Sequence, residues 1–248
     1  MLTIAQFSDS HLFADKNDLH HGANVYQNLI RVCQSIAEDP SIDLAVFTGD
    51  LTQDHTDDSY KVFVDVVGEL LSDIPVYYLA GNHDDLDMLE RHLCKPPFAN
   101  EHVFENEDWQ FHFINSKSET PAGVVSQLQL ADITSETSVD KFQFYFLHHH
   151  PKNVDYFIDR HGLEEQYQFW DWVAHQPNVK GIACGHVHRA MEFSHETVQG
   201  PIPVYTCPAT SIQFAKHPDD LVAEATEPAY RKFTFAIDGG LSTDVVYL

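Results

Sequence analysis

The sequence has 248 residues, of which 43% are hydrophobic and 12% aromatic, so it can fill a folded core and lacks the composition of a disordered chain. Its 14 lysines and arginines stand against 38 aspartates and glutamates, and the formal charge of −24 excludes a broad basic face for nucleic acid or anionic lipid. The 17 histidines outnumber the basic residues, and neutral imidazole is a common metal ligand, so metal ions are the expected source of local positive charge.

Predicted strands and helices alternate in the first hundred residues. Periodic apolar patterns predict strands at 2–7, 44–48 and 76–79, and helices at 25–38, 59–71 and 86–93. Strands joined by crossover helices pair in parallel and are buried on both faces. This half is therefore predicted to form a parallel α/β sheet.

The second half is richer in strands, with a helix at 164–175 and a polar loop with a weak helix at 116–138. The predicted strands are 103–104, 110–114, 142–147, 179–183, 204–206, 231–237 and 244–247. No internal repeat or Gly/Ser linker divides the sequence. We therefore expect one domain, residues 1–248, with two packed sheets.

Metal-ligating side chains directly follow five of the predicted strands. In open α/β sheets, sites form outside the carboxyl ends of the strands, so these side chains are expected to converge. Residues i and i+2 of an extended segment also point the same way and can chelate one centre. The candidates, in strand order, are Asp9 and His11; Asp50; Asn82 and His83; His148, His149 and His150; and His186 and His188.

The number and type of these donors indicate two metal ions. Seven of these oxygen and nitrogen donors already exceed the four ligands of a closed structural zinc site. Mixed carboxylate, amide and imidazole donors suit Mn, Fe, Zn or Co. Two cations at ~3.5–4 Å need a bridging ligand, and Asp50 stands alone between the flanking sets, so it is the natural bridge.

Five motifs occur in a fixed order between Asp9 and His188: Asp-x-His, Gly-Asp, Gly-Asn-His-Asp, His-His-x-Pro and Gly-His-x-His. In this order they resemble the calcineurin-like metallophosphoesterase family. The surrounding residues 9–13, 48–54, 147–151 and 208–214 are similar to those of bacterial class III 3′,5′-cyclic-nucleotide phosphodiesterases. The resemblance therefore extends almost to the C-terminus.

The resemblance implies an α/β fold in which two packed mixed β-sheets are flanked by helices in four layers, αββα. It makes His148 the ligand of the triple histidine, although the sequence alone leaves His149 as the alternative. It implies one metal site of Asp9, His11, Asp50 and His188, and a second site of Asp50, Asn82, His148 and His186.

Within the same resemblance, His83 lies beside the scissile phosphate and acts with Asn82 in catalysis. The reaction implied is attack by a hydroxide that bridges the two metals on a 3′,5′-cyclic nucleotide, with cyclic AMP the first candidate, releasing O3′ and giving the nucleoside 5′-monophosphate. The residues expected to contact the substrate are His11, Asp50, Asn82, His83 and His188.

Three other functions stay open at this stage. The same metals could cleave another phosphodiester or a phosphomonoester, because the pocket sets the substrate. A non-catalytic scaffold on the same fold is a further alternative, and a nuclease is disfavoured by the low number of basic residues. We expect a monomer or homodimer that acts on a small molecule, without nucleic acid or membrane as partner. We expect it in the cytoplasm, since the N-terminus shows no signal peptide and the four cysteines are scattered.

Several nearby residues have two interpretations. His149 and His150 could contact substrate or orient His148. Phe13 and Phe214 could border a base-binding pocket or only pack in the core. The remaining residues with open roles are Arg189, a phosphate contact or a surface ion pair; His217, ambiguous; and His20, His21, His55 and His161, expected at the surface or in the core.

Overall fold

The computed structural model describes residues 1–217 and 219–248. Its helices are α1 (Val25–Glu38), α2 (Asp57–Leu70), α3 (Leu86–His92), α4 (Gln127–Glu136) and α5 (Gln166–His175), with a 3₁₀ helix at Phe157–His161. Its strands are β1 (Leu2–Phe7), β2 (Leu19–His20), β3 (Ala23–Asn24), β4 (Leu44–Phe47), β5 (Val76–Tyr78), β6 (Phe98–Ala99), β7 (Val103–Glu105), β8 (Trp109–Ile114), β9 (Phe142–Leu147), β10 (Val179–Cys184), β11 (Met191–Thr197), β12 (Gly200–Thr206), β13 (Gln213–Phe214), β14 (Ala223–Ala225), β15 (Ala229–Phe235) and β16 (Leu241–Tyr247).

Two mixed sheets of six strands form the centre of the described chain. The first has the order β16-β15-β1-β4-β5-β6, with β1, β4, β5 and β6 parallel and β15 antiparallel to β1. The second has the order β11-β12-β10-β9-β8-β7, with β8, β9, β10 and β12 parallel. Each sheet therefore keeps parallel strands in its middle and an antiparallel strand at one or both edges.

Alternating side chains of the central strands pack into different layers. On β4, Val46 packs between the two sheets while Phe47 packs against the helices of the first sheet. On β9, Phe146 faces the same middle layer and Tyr145 faces α4 and α5 on the far side. Helices therefore cover both outer faces, and the predicted four-layer αββα arrangement is confirmed.

Polar side chains mark where the helices begin. Asn24, Thr56 and Asp85 precede α1, α2 and α3, and each side chain accepts a hydrogen bond from the backbone N–H three residues later. Such caps satisfy backbone donors that a helix leaves free. Asp57 and Asp58 lie in the first turn of α2, where the positive end of the helix dipole favours negative charge.

The second half differs from the prediction most in the hairpin of β11 and β12, and it also contains the short strands β13 and β14, which were not predicted. The strand predicted at 204–206 is longer, Gly200–Thr206, because it pairs along its length with β11, which the sequence analysis missed. Along β11, half-buried residues alternate with exposed polar ones, so its apolar periodicity is weak. The strand predicted at 231–237 ends at Phe235, before the turn at Gly239.

Candidate metal centre

The carboxyl ends of five strands from both sheets meet at one edge of the middle layer. Asp9 follows β1 and Asp50 follows β4, and the N–H of Asp9 donates to the carbonyl of Gly49 at 2.8 Å. His186, which follows β10 of the second sheet, donates its N–H to the carboxylate of Asp9 at 3.1 Å. Backbone and side-chain hydrogen bonds thus connect the strand ends of the two sheets.

Five of the seven predicted ligands have a left-handed backbone. This conformation costs a non-glycine residue roughly 1 kcal/mol, less for Asp. It turns the chain sharply just after a strand, so the side chain points back into the centre. The five are Asp9 (φ 56°), His11 (φ 45°), Asp50 (φ 57°), His186 (φ 65°) and His188 (φ 49°).

The first group of donors surrounds Nε2 of His188. This atom lies 3.1 Å from Nε2 of His11 and 3.3 Å from Oδ1 of Asp9. Nε2 of His11 lies 3.6 Å from Oδ2 of Asp50. Ligands bound to one cation at about 2.1 Å stand ~3.0–3.4 Å apart, so these spacings fit a single coordination shell.

The second group surrounds Nε2 of His148. This atom lies 3.2 Å from Oδ1 of Asn82 and 3.2 Å from Nδ1 of His186. It also lies 3.5 Å from Oδ2 of Asp50. One oxygen of Asp50 is therefore next to both groups, the position that the sequence predicts for a bridging carboxylate.

Three histidines of these groups donate their Nδ1 proton to an oxygen. A carbonyl oxygen can only accept, so Nδ1 is the donor and Nε2 is the nitrogen directed into the centre. Nε2 of His11 and Nε2 of His188 lie 3.1 Å apart, the spacing of two ligands on one cation, so the donor set fits metal ions. The three pairs are His148 with Thr48 O (2.7 Å), His188 with Ile212 O (2.9 Å) and His11 with Gln53 Oε1 (2.8 Å).

Burial and charge act in opposite directions on these rings. Burial lowers the pKa of His11 and of His186 well below the ordinary value, which favours the neutral imidazole that binds metals. Burial also lowers the pKa of His148, but the negative charges of Asp50 and Asp9 outweigh it and raise this pKa to about 9. The centre therefore favours positive charge at the position between His148 and Asp50.

A family model described as calcineurin-like phosphoesterase matches residues 2–190, which contain both groups of donors. The chain belongs to this family. The resemblance read from the five motifs is confirmed. Membership implies divalent metal ions, and in the described part of the chain Asp9, His11 and His188 have donor atoms within 4.8 Å of one another, as do Asp9, Asp50 and His148.

Relatives match the chain along its whole length. A "Probable cyclic nucleotide phosphodiesterase" of Colwellia psychrerythraea is 45% identical over 100% of this chain and 95% of its own length. A "3′,5′-cyclic adenosine monophosphate phosphodiesterase CpdA" of Vibrio vulnificus is 31% identical over 98% of this chain and 89% of its own. The similarity therefore includes the C-terminal strands beyond the family model.

Solved structures share the fold of this chain at low sequence identity. A dimetal phosphatase from Danio rerio superposes with a TM-score of 0.67 over 99% of this chain and 98% of its own, at 11% identity. At that identity the likeness concerns the fold alone. Separately, no helix within residues 1–217 and 219–248 has the length and apolar character to cross a bilayer.

A cleft of about 320 Å³ opens beside the two donor groups. The imidazole of His20 stacks on His11 with centroids 5.0 Å apart, and Phe214 stacks on His188 at 4.0 Å. His20, His21 and His161 also line this cleft, His21 exposed and the other two half-buried. All five residues expected to contact substrate also line it: His11, Asp50, Asn82, His83 and His188.

His83 lies next to the donors, and one of its ring nitrogens is within 4.8 Å of donor atoms of His11 and Asp50. Its ring makes an edge contact with His11 at 4.8 Å, and its backbone N–H donates to Oδ1 of Asp50 at 2.8 Å. Burial lowers the pKa of His83, so the ring is neutral at pH 7 and retains one N–H. That proton is available at the mouth of the cleft.

His149 and His150 make contacts outside the donor groups, while one ring nitrogen of His149 also lies within 4.8 Å of donor atoms of His148 and His186. His149 contacts Ser116 Oγ through Nδ1 at 2.8 Å and the Pro121 carbonyl through Nε2 at 3.2 Å, so both its nitrogens have partners. Nε2 of His150 lies 3.2 Å from Asp159. Within the triple histidine, Nε2 of His148 is the nitrogen that lies 3.2 Å from both Asn82 and His186.

Three further residues with open roles lie outside the centre. Arg189 donates to the Phe214 carbonyl at 2.7 Å and pairs with Glu224, which matches the ion-pair alternative. Phe13 packs against the core behind the first sheet. His217 accepts the N–H of Asp220 through Nδ1 at 3.2 Å, within its own loop.

Asp84 supports the centre in a way that the sequence analysis missed. Its carboxylate accepts the backbone N–H groups of Gly81, Asp50 and Leu51, each at 2.8 Å. These bonds tie the loop after β5 to the loop after β4. The position of Asp84 at the end of the Gly-Asn-His-Asp motif is the only signal that the sequence offers for this role.

Proposed function

We propose that this chain hydrolyses 3′,5′-cyclic nucleotides, cyclic AMP first among them, to nucleoside 5′-monophosphates. Relatives that match at least 98% of the chain carry names with this activity. The convergence of the Nε2 atoms of His11, His148 and His188 on two adjoining donor groups is the single observation that carries the proposal. Such an arrangement supports metal-assisted hydrolysis of a phosphoester.

We propose two divalent cations at this centre. Asp9, His11 and His188 would hold one cation, and Asp50 would be shared between the two. The donor types accept Mn, Fe, Zn or Co. The ligands proposed for the second cation besides Asp50 are Asn82, His148 and His186.

When bound, the two cations supply Lewis-acid stabilisation of the phosphoryl oxygens and activate water near neutral pH. His83 would donate its remaining N–H to the departing O3′ of the ribose. Asp50 and Asp84 keep the loop that carries Asn82 and His83 in place through backbone hydrogen bonds. The neutral His83 thus stabilises the leaving alkoxide from the side of the cleft.

The cleft is also suited to a small substrate. It is open to solvent on one side and bordered by His20, Phe157 and Phe214, whose rings offer apolar faces to a nucleobase.

We further propose that residues 1–248 act as one domain, because β1 near the N-terminus pairs with β15 near the C-terminus. We propose that the chain does so as a monomer or homodimer.

Product analysis with and without metal tests the proposal. Metal-stripped protein is incubated with cyclic AMP in the presence and absence of Mn²⁺, with an aryl phosphodiester in parallel and an Asp50→Asn variant as the inactive control. We expect Mn²⁺-dependent formation of 5′-AMP at a rate well above that on the aryl ester, and none in the variant. Cleavage of the aryl ester alone would retain the phosphodiesterase chemistry and discard the cyclic-nucleotide substrate.

A further inference from the structure

Two side chains from separate loops donate to consecutive carbonyls of the loop that follows β5. Lys117 Nζ donates to the carbonyl oxygen of Asn82 at 3.1 Å. His55 Nδ1 donates to the carbonyl oxygen of His83 at 2.9 Å. Sequence analysis assigned no role to Lys117 and placed His55 among surface or core residues. Both donors lie 27 or more positions from the loop in sequence, so the contacts are made by the fold.

The N–H side of the same loop is already fixed from within the centre. The N–H of Gly81 donates to Asp84, that of His83 to Asp50, and that of Asp85 to the hydroxyl of Tyr60 at 2.8 Å. The carbonyls of residues 82 and 83 point the opposite way. Lys117 and His55 are their partners, so the backbone between a proposed ligand and a proposed proton donor is held on both sides.

His55 also holds the ring of His83. The two imidazoles are stacked, with centroids 5.4 Å apart and planes inclined by 5°. On the other side, the ring of His83 meets His11 edge-on at 4.8 Å. The ring of His83 therefore lies between two neighbours, which restricts its rotation about the side-chain bonds.

The segment that carries Lys117 is anchored to the second sheet next to a proposed ligand. Ser116 Oγ and the carbonyl of Pro121 contact the two ring nitrogens of His149, at 2.8 Å and 3.2 Å. His149 directly follows His148, so the anchor of the segment and the second donor group share one strand end. Among the residues that the structure describes along the cavities meeting at Asn82 and His83, Lys117 is the only lysine or arginine.

We infer that Lys117 and His55 are positioning residues that clamp the Asn82–His83 backbone and thereby fix the amide of Asn82 and the ring of His83. This inference rests on the proposed function for the role of His83. The clamp acts through two neutral carbonyls, those of Asn82 and His83. Outer contacts of this kind tune metal affinity because they set the orientation of the ligand.

Metal affinity gives a test that does not depend on turnover. We would titrate Mn²⁺ into metal-stripped wild-type protein and into Lys117→Met, Lys117→Arg and His55→Phe, with Lys95→Met as the control on an exposed lysine. Removal of an outer contact typically weakens metal binding 10–100-fold, so Lys117→Met should weaken the weaker Mn²⁺ step about tenfold. His55→Phe retains an aromatic ring and loses the donor, so it should weaken the same step. Lys117→Arg retains a donor and should rescue binding, and Lys95→Met should match wild type.

The leaving group provides the second readout. A nitrophenolate departs without a proton, whereas ribose O3′ needs one, so misplacement of His83 should lower kcat on cyclic AMP more than kcat on a nitrophenyl phosphodiester. KM should change less than kcat. If the wild type cleaves only the aryl ester, the proposal of a cyclic-nucleotide substrate is wrong. The Mn²⁺ titration still tests whether Lys117 and His55 clamp the backbone, because it does not depend on the substrate. Wild-type Mn²⁺ affinity in both Lys117→Met and His55→Phe would overturn the inference.

Discussion

The two nitrogens of an imidazole have separate tasks at this centre. In His148 and His188, Nδ1 donates to a backbone carbonyl and Nε2 faces the other donors. In His149, both nitrogens bind elsewhere. The triple histidine is uniform in sequence, so the choice among its members depends on which carbonyl the fold brings near, Thr48 in this case. Each histidine ligand of this kind is oriented by a hydrogen bond from its Nδ1 to a neighbouring loop.

His83→Ala should separate catalysis from metal binding. His83 is proposed as the N–H donor to the leaving oxygen and not as a ligand, so Mn²⁺ affinity should stay within about twofold of wild type, while loss of that donor should lower kcat on cyclic AMP about 100-fold or more. Steady-state kinetics and a Mn²⁺ titration on the same preparations measure both quantities. Unchanged kcat in His83→Ala would remove its proposed role.

Asp84→Asn should weaken the connection between two loops. The carboxylate accepts hydrogen bonds from three backbone N–H groups. An amide has only one acceptor oxygen, so it can keep only some of these bonds, and its own NH₂ group would face the remaining N–H groups. We expect the free energy of unfolding to fall by about 1–3 kcal/mol, the range for lost hydrogen bonds to a buried charged group. Urea denaturation measures this, with Asp87→Asn on the exposed face of α3 as the matched control. Equal denaturation midpoints for the two variants would contradict it.

At the level of elements, long periodic segments were predictable and short ones were not. Helix α1 and strands β1 and β9 have the predicted bounds, because apolar residues recur there at helical or extended spacing. Strands such as β6 and β13 contain two residues, too few for any periodicity, and they form because a neighbouring strand offers hydrogen bonds. The same limit applied to the site. The motifs predicted which residues converge, whereas His55 and Lys117 bind backbone groups that leave no pattern in the sequence, and Asp84 is marked only by its place at the end of a motif.

The C-terminal end of α1 is tied to strand β15 by an ion pair that can be tested by pH. A hydrogen bond from Ser41 and another from Lys232, at 2.6 Å and 2.9 Å, hold the pKa of Asp39 at about 2, below its ordinary 3.8. Because the folded-state pKa is depressed, the stabilisation is complete well above pH 3.8 and is lost as the pH falls toward 2.

Asp39→Asn should therefore lower the free energy of unfolding at pH 6 by less than ~1 kcal/mol, since solvent screens a partly exposed pair. The difference from wild type should shrink between pH 4 and pH 3, as measured by urea denaturation. Asp73→Asn, on an exposed residue between α2 and β5, serves as the control. A difference that grows with acidification would contradict the assignment.

At the scale of the whole molecule, the centre exists only when both sheets are folded together. β1, β4 and β5 supply one part of the donors, and β9 and β10 of the other sheet supply the rest. A net charge of −24 adds a field that attracts divalent cations to the folded chain. Metal binding and folding of the two sheets are therefore coupled.

Metal removal should lower the melting temperature. A ligand at 100 times its Kd stabilises the folded state by about 2.7 kcal/mol, which corresponds to a shift of roughly 5–10 °C for a chain of this size. Differential scanning calorimetry with Mn²⁺ and after EDTA treatment measures the shift. Asp50→Asn removes the oxygen shared by both donor groups and should abolish the response. A melting temperature that ignores Mn²⁺ in the wild type would contradict the coupling.

The left-handed backbone at Asp9, His11, Asp50, His186 and His188 bears on protein design. Copying the Asp-x-His and Gly-His-x-His spacings onto ordinary strand ends would transfer the donor atoms without their directions. A grafted centre would have to include the five sharp turns, together with a scaffold stable enough to offset roughly 1 kcal/mol at each. A design would therefore have to copy the backbone conformation between strand and loop together with the ligand residues.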